Sequence, residues 1–200
     1  MKNVLVLSAA AKNTRANGEA RLSVRRAMRE LNKLGSSFDG PVDDAPNEWT
    51  QVLTWTDAAN GSTVRFFSDL ENDVMYLQSK AASPEAMASL EKVFRGHVSV
   101  ASLDELKHGA SLEKDQTGSG LIRLAFGAPI AVDDEIADQL KSALRNQDPL
   151  VRRNAGYAIA ITTWPELAPE LAEAIEVEEH PELRDLLRRY VEALERVKRR

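Results

Sequence analysis

The sequence predicts an α+β fold: an N-terminal unit over residues 1–102 with the order βαβββαβ, packed on an all-helical region over residues 103–200. Three observations carry this reading. β-type alternation and a hairpin turn are confined to the first half, around Trp49–Thr56, Asn60-Gly61 and Thr63–Phe67. From Asp133 onward apolar residues recur every three or four positions, which is the helical period. The strand and helix signals are therefore segregated rather than alternating, which excludes a doubly wound parallel sheet.

Val4–Leu7 is short, apolar and β-branched, and suits a first buried strand. From Ala20 the positions Val24, Ala27, Met28, Leu31 and Leu34 keep one inward stripe on a helix that stops at Gly35. Residues 35–48 hold Gly35, Ser36, Ser37, Gly40, Pro41, Asp43, Asp44 and Pro46 and are expected to form a mobile loop. Trp49–Thr56 and Thr63–Phe67 pair across Asn60-Gly61, and a turn at Glu71-Asn72-Asp73 adds Val74–Leu77 as a third meander strand. Ser83 caps a helix with Pro84 at its first position and Ala86, Met87, Leu90, Val93 and Phe94 as its buried stripe. Val98 and Val100 are expected to form a last strand.

Ser102 with Glu105 has capping-box spacing; a polar loop over 111–120 and the apolar segment Leu121–Phe126 follow. Two helix pairs then share one pattern. Ile136, Leu140 and Leu144 align with Leu167, Leu171 and Ile175 at an offset of 31, and Asp148-Pro149-Leu150-Val151-Arg152 aligns with His180-Pro181-Glu182-Leu183-Arg184 at 32. The extra residue falls in the turn, where stacked helix pairs tolerate it. These residues resemble a HEAT-type repeat of the short bacterial, phycobilisome-lyase-like kind, with pairs at about 133–161 and 166–197 and a degenerate one at 103–127. His180 in place of the turn Asp and Leu187 in place of a small residue depart from that pattern. The resemblance implies a helical surface that holds another macromolecule, a structural brace between Arg152 and the turn Asp148, and Leu121–Phe126 as a capping layer.

Composition narrows the chemistry. The chain has 200 residues, 43% of them hydrophobic and 28% charged, with no cysteine, so a disulfide scaffold, a thiol nucleophile and thiolate-bound metal are excluded. Its net charge of -5 gives neither half the basic excess of a phosphate binder. The apolar stretch near Met1–Lys12 is too short to cross a bilayer and short for a signal-peptide core, so a cytoplasmic protein without a membrane partner is expected. His97, His108 and His180 share no helix face, so no metal site is expected. Gly118-Ser119-Gly120 lacks the Lys and Ser/Thr of a phosphate loop and the spacing of a nucleophile elbow; it reads as a flexible lead into a helix. Ser8, Asn13 and Arg15 are similar in type to the phosphate loop of flavin-dependent reductases, but the meander that follows argues against that fold. No catalytic residues, cofactor or metal ligands are assigned.

Asp133-Asp134-Glu135 reads as a helix start, Glu176, Glu178 and Glu179 as solubilising charge, and Arg196, Lys198, Arg199 and Arg200 as complements to a helix C-terminus. Arg153 and Tyr157, with Asp185 and Arg189 at the equivalent positions 32 residues on, are predicted to form one protein-binding patch. Arg21, Arg25 and Arg29 recur at every fourth position and form a candidate nucleic-acid-binding ridge, with Glu30 and Asp43-Asp44 as neutralising acids. The expected function is a non-catalytic protein-binding module or adaptor. A nucleic-acid-associated protein using the basic ridge and a small enzyme with its site between the two parts are the alternatives.

Overall fold

The computed structural model describes residues 2–9, 11–113 and 115–198, and the side chains of Lys2 and of residues 44–46 are outside that description. Arg199 and Arg200 of the basic tail therefore lie outside the described residues. The fold is α+β, with an N-terminal sheet and C-terminal helices. The chain divides into two compact units, Met1–Ala101 and Ser102–Arg200. No helix among the described residues is long and apolar enough to cross a membrane.

The first unit runs β1 (Lys2–Val6), α1 (Thr14–Lys33), β2 (Val42–Asn47), β3 (Thr50–Thr56), β4 (Thr63–Asp69), β5 (Val74–Lys80) and α2 (Pro84–His97). The strands form one antiparallel sheet in the order β1-β5-β4-β3-β2. Leu5, Leu77, Phe66 and Leu53 stand opposite one another in register and make a continuous apolar row. They join Val24, Met28 and Leu31 of α1 and Leu90 and Phe94 of α2 in one core. On the opposite face of the strands Phe67 and Tyr76 stack at 4.5 Å.

Three expectations need correction here. The loop expected over 35–48 contains β2; a Pro and two Asp in its sequence suit an edge strand, which natural sheets protect from further pairing in this way. The strand expected at Val98–Val100 shrinks to a single bridge between Leu7 and Val100, because the Ser102 cap turns the chain into a helix at once. α1 starts at Thr14, six residues earlier than the apolar stripe shows, because the Asn13 side chain accepts from Ala16 N at 3.0 Å. The turns follow their sequence signals: Gly35, Gly61 and Asp73 all have positive φ.

Asn32, on the last turn of α1, forms a small ladder with residue 38: its Nδ2 donates to Phe38 O at 2.9 Å and its Oδ1 accepts from Phe38 N at 2.8 Å. Buried Asp57 accepts from Ala59 N at 2.9 Å and from Asn60 Nδ2 at 3.2 Å and fixes the β3–β4 turn.

The second unit contains α3 (Leu103–Gly109), α4 (Ser119–Gly127), α5 (Asp134–Leu144), α6 (Pro149–Thr162), a 3₁₀ turn at Pro165–Leu167, α7 (Ala168–Val177) and α8 (Pro181–Lys198). α3 packs on α4, α5 on α6 and α7 on α8; α6 also packs between α4 and α8, and α5 touches α7. The result is a stack of three helix pairs. Leu121–Phe126 is thus part of a full helix, α4, in the first pair. Lys107 of α3 reaches Asp133 Oδ2 at 3.1 Å and Glu135 Oε2 at 2.6 Å at the start of α5. The Trp164 Nε1–H is shared between the carbonyls of Pro129 and Ile130, each at 3.1 Å, tying the loop after α4 to the 3₁₀ turn.

Two glycines lie in close helix contacts. A Cβ on Gly120 would stand 2.3 Å from Gly109 O, and one on Gly156 would stand 2.4 Å from Leu187 Cδ2. At Gly120 the obstructing atoms are backbone, so this position lets α4 approach α3 more closely than any other residue type allows, whereas at Gly156 the neighbour is the end of the Leu187 side chain.

Candidate functional site

The turns between paired helices repeat in hydrogen bonding as well as in sequence. In the first, Asp148 caps α6 by accepting from Leu150 N at 2.8 Å, and Asn146 Oδ1 accepts from Asp148 N at 2.8 Å. Arg152 Nη1 donates back to the carbonyls of Asn146 at 2.9 Å and Gln147 at 2.8 Å. In the second, the residues 32 positions later reproduce part of this: Glu178 Oε1 accepts from His180 N at 3.1 Å, and Arg184 donates from Nε at 2.9 Å and from Nη2 to the Glu178 carbonyl.

The two turns are then joined by a forked ion pair. Arg152 Nε meets Glu178 Oε2 at 2.7 Å and Nη2 meets Oε1 at 2.8 Å, with the Glu178 side chain only 1% exposed. The Arg152 guanidinium holds the Glu178 carboxyl below its ordinary range; burial pushes the other way, and the His180 N–H reinforces the lowering. Two readings change here. Glu178 is a buried brace rather than solubilising charge, because its carboxylate replaces the Asn146 amide at the equivalent turn position. Arg152 hydrogen-bonds carbonyls and Glu178 rather than Asp148, whose carboxylate is directed at its own helix N-terminus.

A cleft of about 520 Å³ opens beside this brace, with Lys141, Arg145, Glu170 and Glu173 on its walls. Four of its charged side chains form a network: Arg145 lies 3.1 Å from Glu170 and 3.9 Å from Glu173, and Lys141 lies 3.9 Å from Glu170.

The segment Gly118-Ser119-Gly120 starts α4, with Gly118 at φ 73°. Asp115 fills the position an anion would take: its carboxylate accepts from Gly120 N at 2.5 Å, Ser119 Oγ at 3.1 Å, and Thr117 N and Oγ1 at 3.1 and 2.6 Å. Burial raises the Asp115 carboxyl, but these donors together outweigh it and hold it below the ordinary range. Ser8, Asn13 and Arg15 form no phosphate loop either. Ser8 Oγ lies 3.3 Å from Ser99 Oγ, Asn13 caps α1, Arg15 pairs with Glu19, and the sheet is antiparallel. Asp133 caps α5 at Ile136 N, 3.1 Å away. Among the described residues no group of three or more His, Asp or Glu could hold a metal ion.

The four predicted patch residues lie on the packed pair α6 and α8. Arg153 is exposed and Tyr157 half-buried, and the Tyr157 ring lies 6.0 Å from Tyr190, tilted by 32°. Tyr190 is one position beyond Arg189, the counterpart of Tyr157, so the 32-residue alignment missed it. Asp185 pairs with Arg188 at 2.8 Å, and Arg189 Nε reaches back to Asp185 O at 3.4 Å.

The basic ridge divides. Arg21 turns to the sheet, where Nη1 donates to Gln51 Oε1 at 2.9 Å and Nη2 lies 3.9 Å from Asp43. Arg25 and Arg29 instead line a cleft of about 410 Å³ together with Arg26, Phe38, Pro41 and Trp55. Glu30 pairs with Lys33 at 3.7 Å rather than with the arginines. Comparison of the chain with protein-family models, curated proteins and solved structures finds no match, so the geometry of these surfaces is the ground for a functional reading.

Proposed function

We propose that the protein is a non-catalytic, cytoplasmic protein-binding module of adaptor type, and that its partner docks on the α6/α8 face around Arg153, Tyr157, Asp185, Arg189 and Tyr190. The observation that carries this reading is the pair of half-buried tyrosines, 6.0 Å apart on neighbouring helices, with arginines beside them. Tyr and Arg dominate protein–protein hot spots because each offers a large contact area together with a polar handle. The HEAT-like spacing of the helix pairs supports it, since stacked pairs give an extended face at little cost in backbone freedom.

The test is a capture experiment from extract of the native host, divided into nuclease-treated and untreated halves. Wild type is compared with an Arg153→Glu/Tyr157→Ala variant whose circular dichroism matches it. A nuclease-resistant protein retained by wild type and lost by the variant is expected. Retention that disappears with nuclease, or that the variant preserves in full, overturns the reading.

A further inference from the structure

α1 carries basic side chains along its whole length, but they do not share one environment. Arg15 pairs with Glu19, Arg21 with Gln51 and Lys33 with Glu30. Arg25, Arg26 and Arg29 are exposed, and among the described residues none of the three has a hydrogen-bond or ion-pair partner. Positions 22, 25, 26 and 29 lie three or four apart, so they share one flank of the helix.

The facing wall is the segment from Phe38 to Pro41. It is held by the Asn32 ladder to Phe38 and by Asp39 N, which donates to Thr56 O at 3.1 Å. Between the walls lies the cleft of about 410 Å³. Its floor is apolar: Met28, Phe38 and Trp55 are 3%, 6% and 3% exposed, while Leu22 stands 57% exposed at the rim. Three arginines line a site whose lining includes one acid, Asp39. Such an arrangement repels itself when empty and is relieved by carboxylates, which arginine binds in a forked geometry.

We propose that this cleft takes a short acidic segment of a partner protein, with carboxylates on Arg25, Arg26 and Arg29 and an apolar side chain against Leu22 and Pro41. Nucleic acid is the poorer occupant. Single strands are held by stacking bases on exposed rings, and the rings here are in the floor and nearly covered. The chain as a whole carries a net charge of -5, against the broad basic surface that a duplex requires. The inference does not depend on the α6/α8 reading, because it rests on other residues and another unit.

The test uses the full chain and fluorescence anisotropy. The probes are fluorescein-labelled nonapeptides with Asp or Glu at every position except a central Leu, Ile, Val, Met or Phe, their Asn/Gln counterparts, and a mixed-sequence single-stranded RNA. Acidic peptides bind about tenfold tighter than the amide set, and Arg25→Glu/Arg29→Glu removes about tenfold in affinity, the equivalent of roughly 1.4 kcal/mol. Arg15→Glu makes the same kind of charge change on the same helix outside the cleft and leaves affinity unchanged. Arg25→Gln/Arg29→Gln gives the same loss if the charge reversal disturbs folding. The proposal fails if no acidic peptide is preferred over its amide counterpart, if Arg15→Glu weakens binding as much as the cleft variants, or if RNA binds tighter than every peptide through Arg25 and Arg29.

Discussion

Gly120→Ala adds one methyl group where α4 meets the end of α3. The new Cβ would lie 2.3 Å from Gly109 O, 2.9 Å from Gly109 C and 3.0 Å from Ala110 Cα. All three are backbone atoms, so no rotamer change relieves the overlap. Restoring ordinary contact requires the two helices to part by about 1 Å, which loosens close-packed side chains around buried Leu106 and Leu121. Overpacking of this kind costs about 1–3 kcal/mol. Alanine returns up to about 1 kcal/mol of helix propensity, and less at position 120 because it lies in the first turn. The net expectation is a loss of about 1–2 kcal/mol, or roughly 4–16 °C in the melting transition of a unit this size. Gly18→Ala is the control, since Gly18 is inside α1 with nothing within 4 Å of an added Cβ. It should raise stability by roughly 0.5–1 kcal/mol. Thermal unfolding followed at 222 nm measures both. A Gly120→Ala protein as stable as wild type would refute the close-approach argument.

Three further outcomes follow from the same structure. Arg152→Ala strands the buried Glu178 carboxylate and should cost about 3–5 kcal/mol in urea unfolding, whereas Arg152→Met/Glu178→Met recovers most of the loss; equal losses in the two would contradict the brace. The Glu178 carboxyl is lowered by folding from its usual 4.5, so the unfolded chain takes the proton first. Its contribution is complete above about pH 4.5 and fades as pH falls through the depressed folded value, so the stability gap between wild type and Glu178→Gln should narrow on acidification; a gap that is constant from pH 6 to pH 3 argues against the linkage. Asp115→Ala leaves the start of α4 without its acceptor and should cost about 1 kcal/mol in chemical denaturation; a neutral result would show that water caps that end equally well.

The elements marked by local chemistry were legible in the sequence. Ser83-Pro84, Ser102 with Glu105, Asn60-Gly61 and Gly35 each act through neighbours a few residues away, and each does so in the structure. β2 was not legible, because an edge strand with Pro and Asp has the composition of a loop; only its pairing with β3 reveals it. Glu178 looked like one of three surface acids. Its burial depends on Arg152, which is 26 positions away in the chain, and the repeat alignment that sets Glu178 on Asn146 is the signal that could have exposed it. The Arg21, Arg25 and Arg29 spacing places three arginines along one helix, yet it does not show that Gln51 draws Arg21 away while Pro41 walls in the others.

The most direct test of the account is site-specific photocrosslinking from the α6/α8 face in extract of the native host. A benzoylphenylalanine at position 153 should yield a discrete protein adduct that survives nuclease. The same group at position 138, on exposed Asp138 of α5, should not yield it. Adducts that are identical from both positions, or that vanish with nuclease, would contradict a protein-binding role for that face.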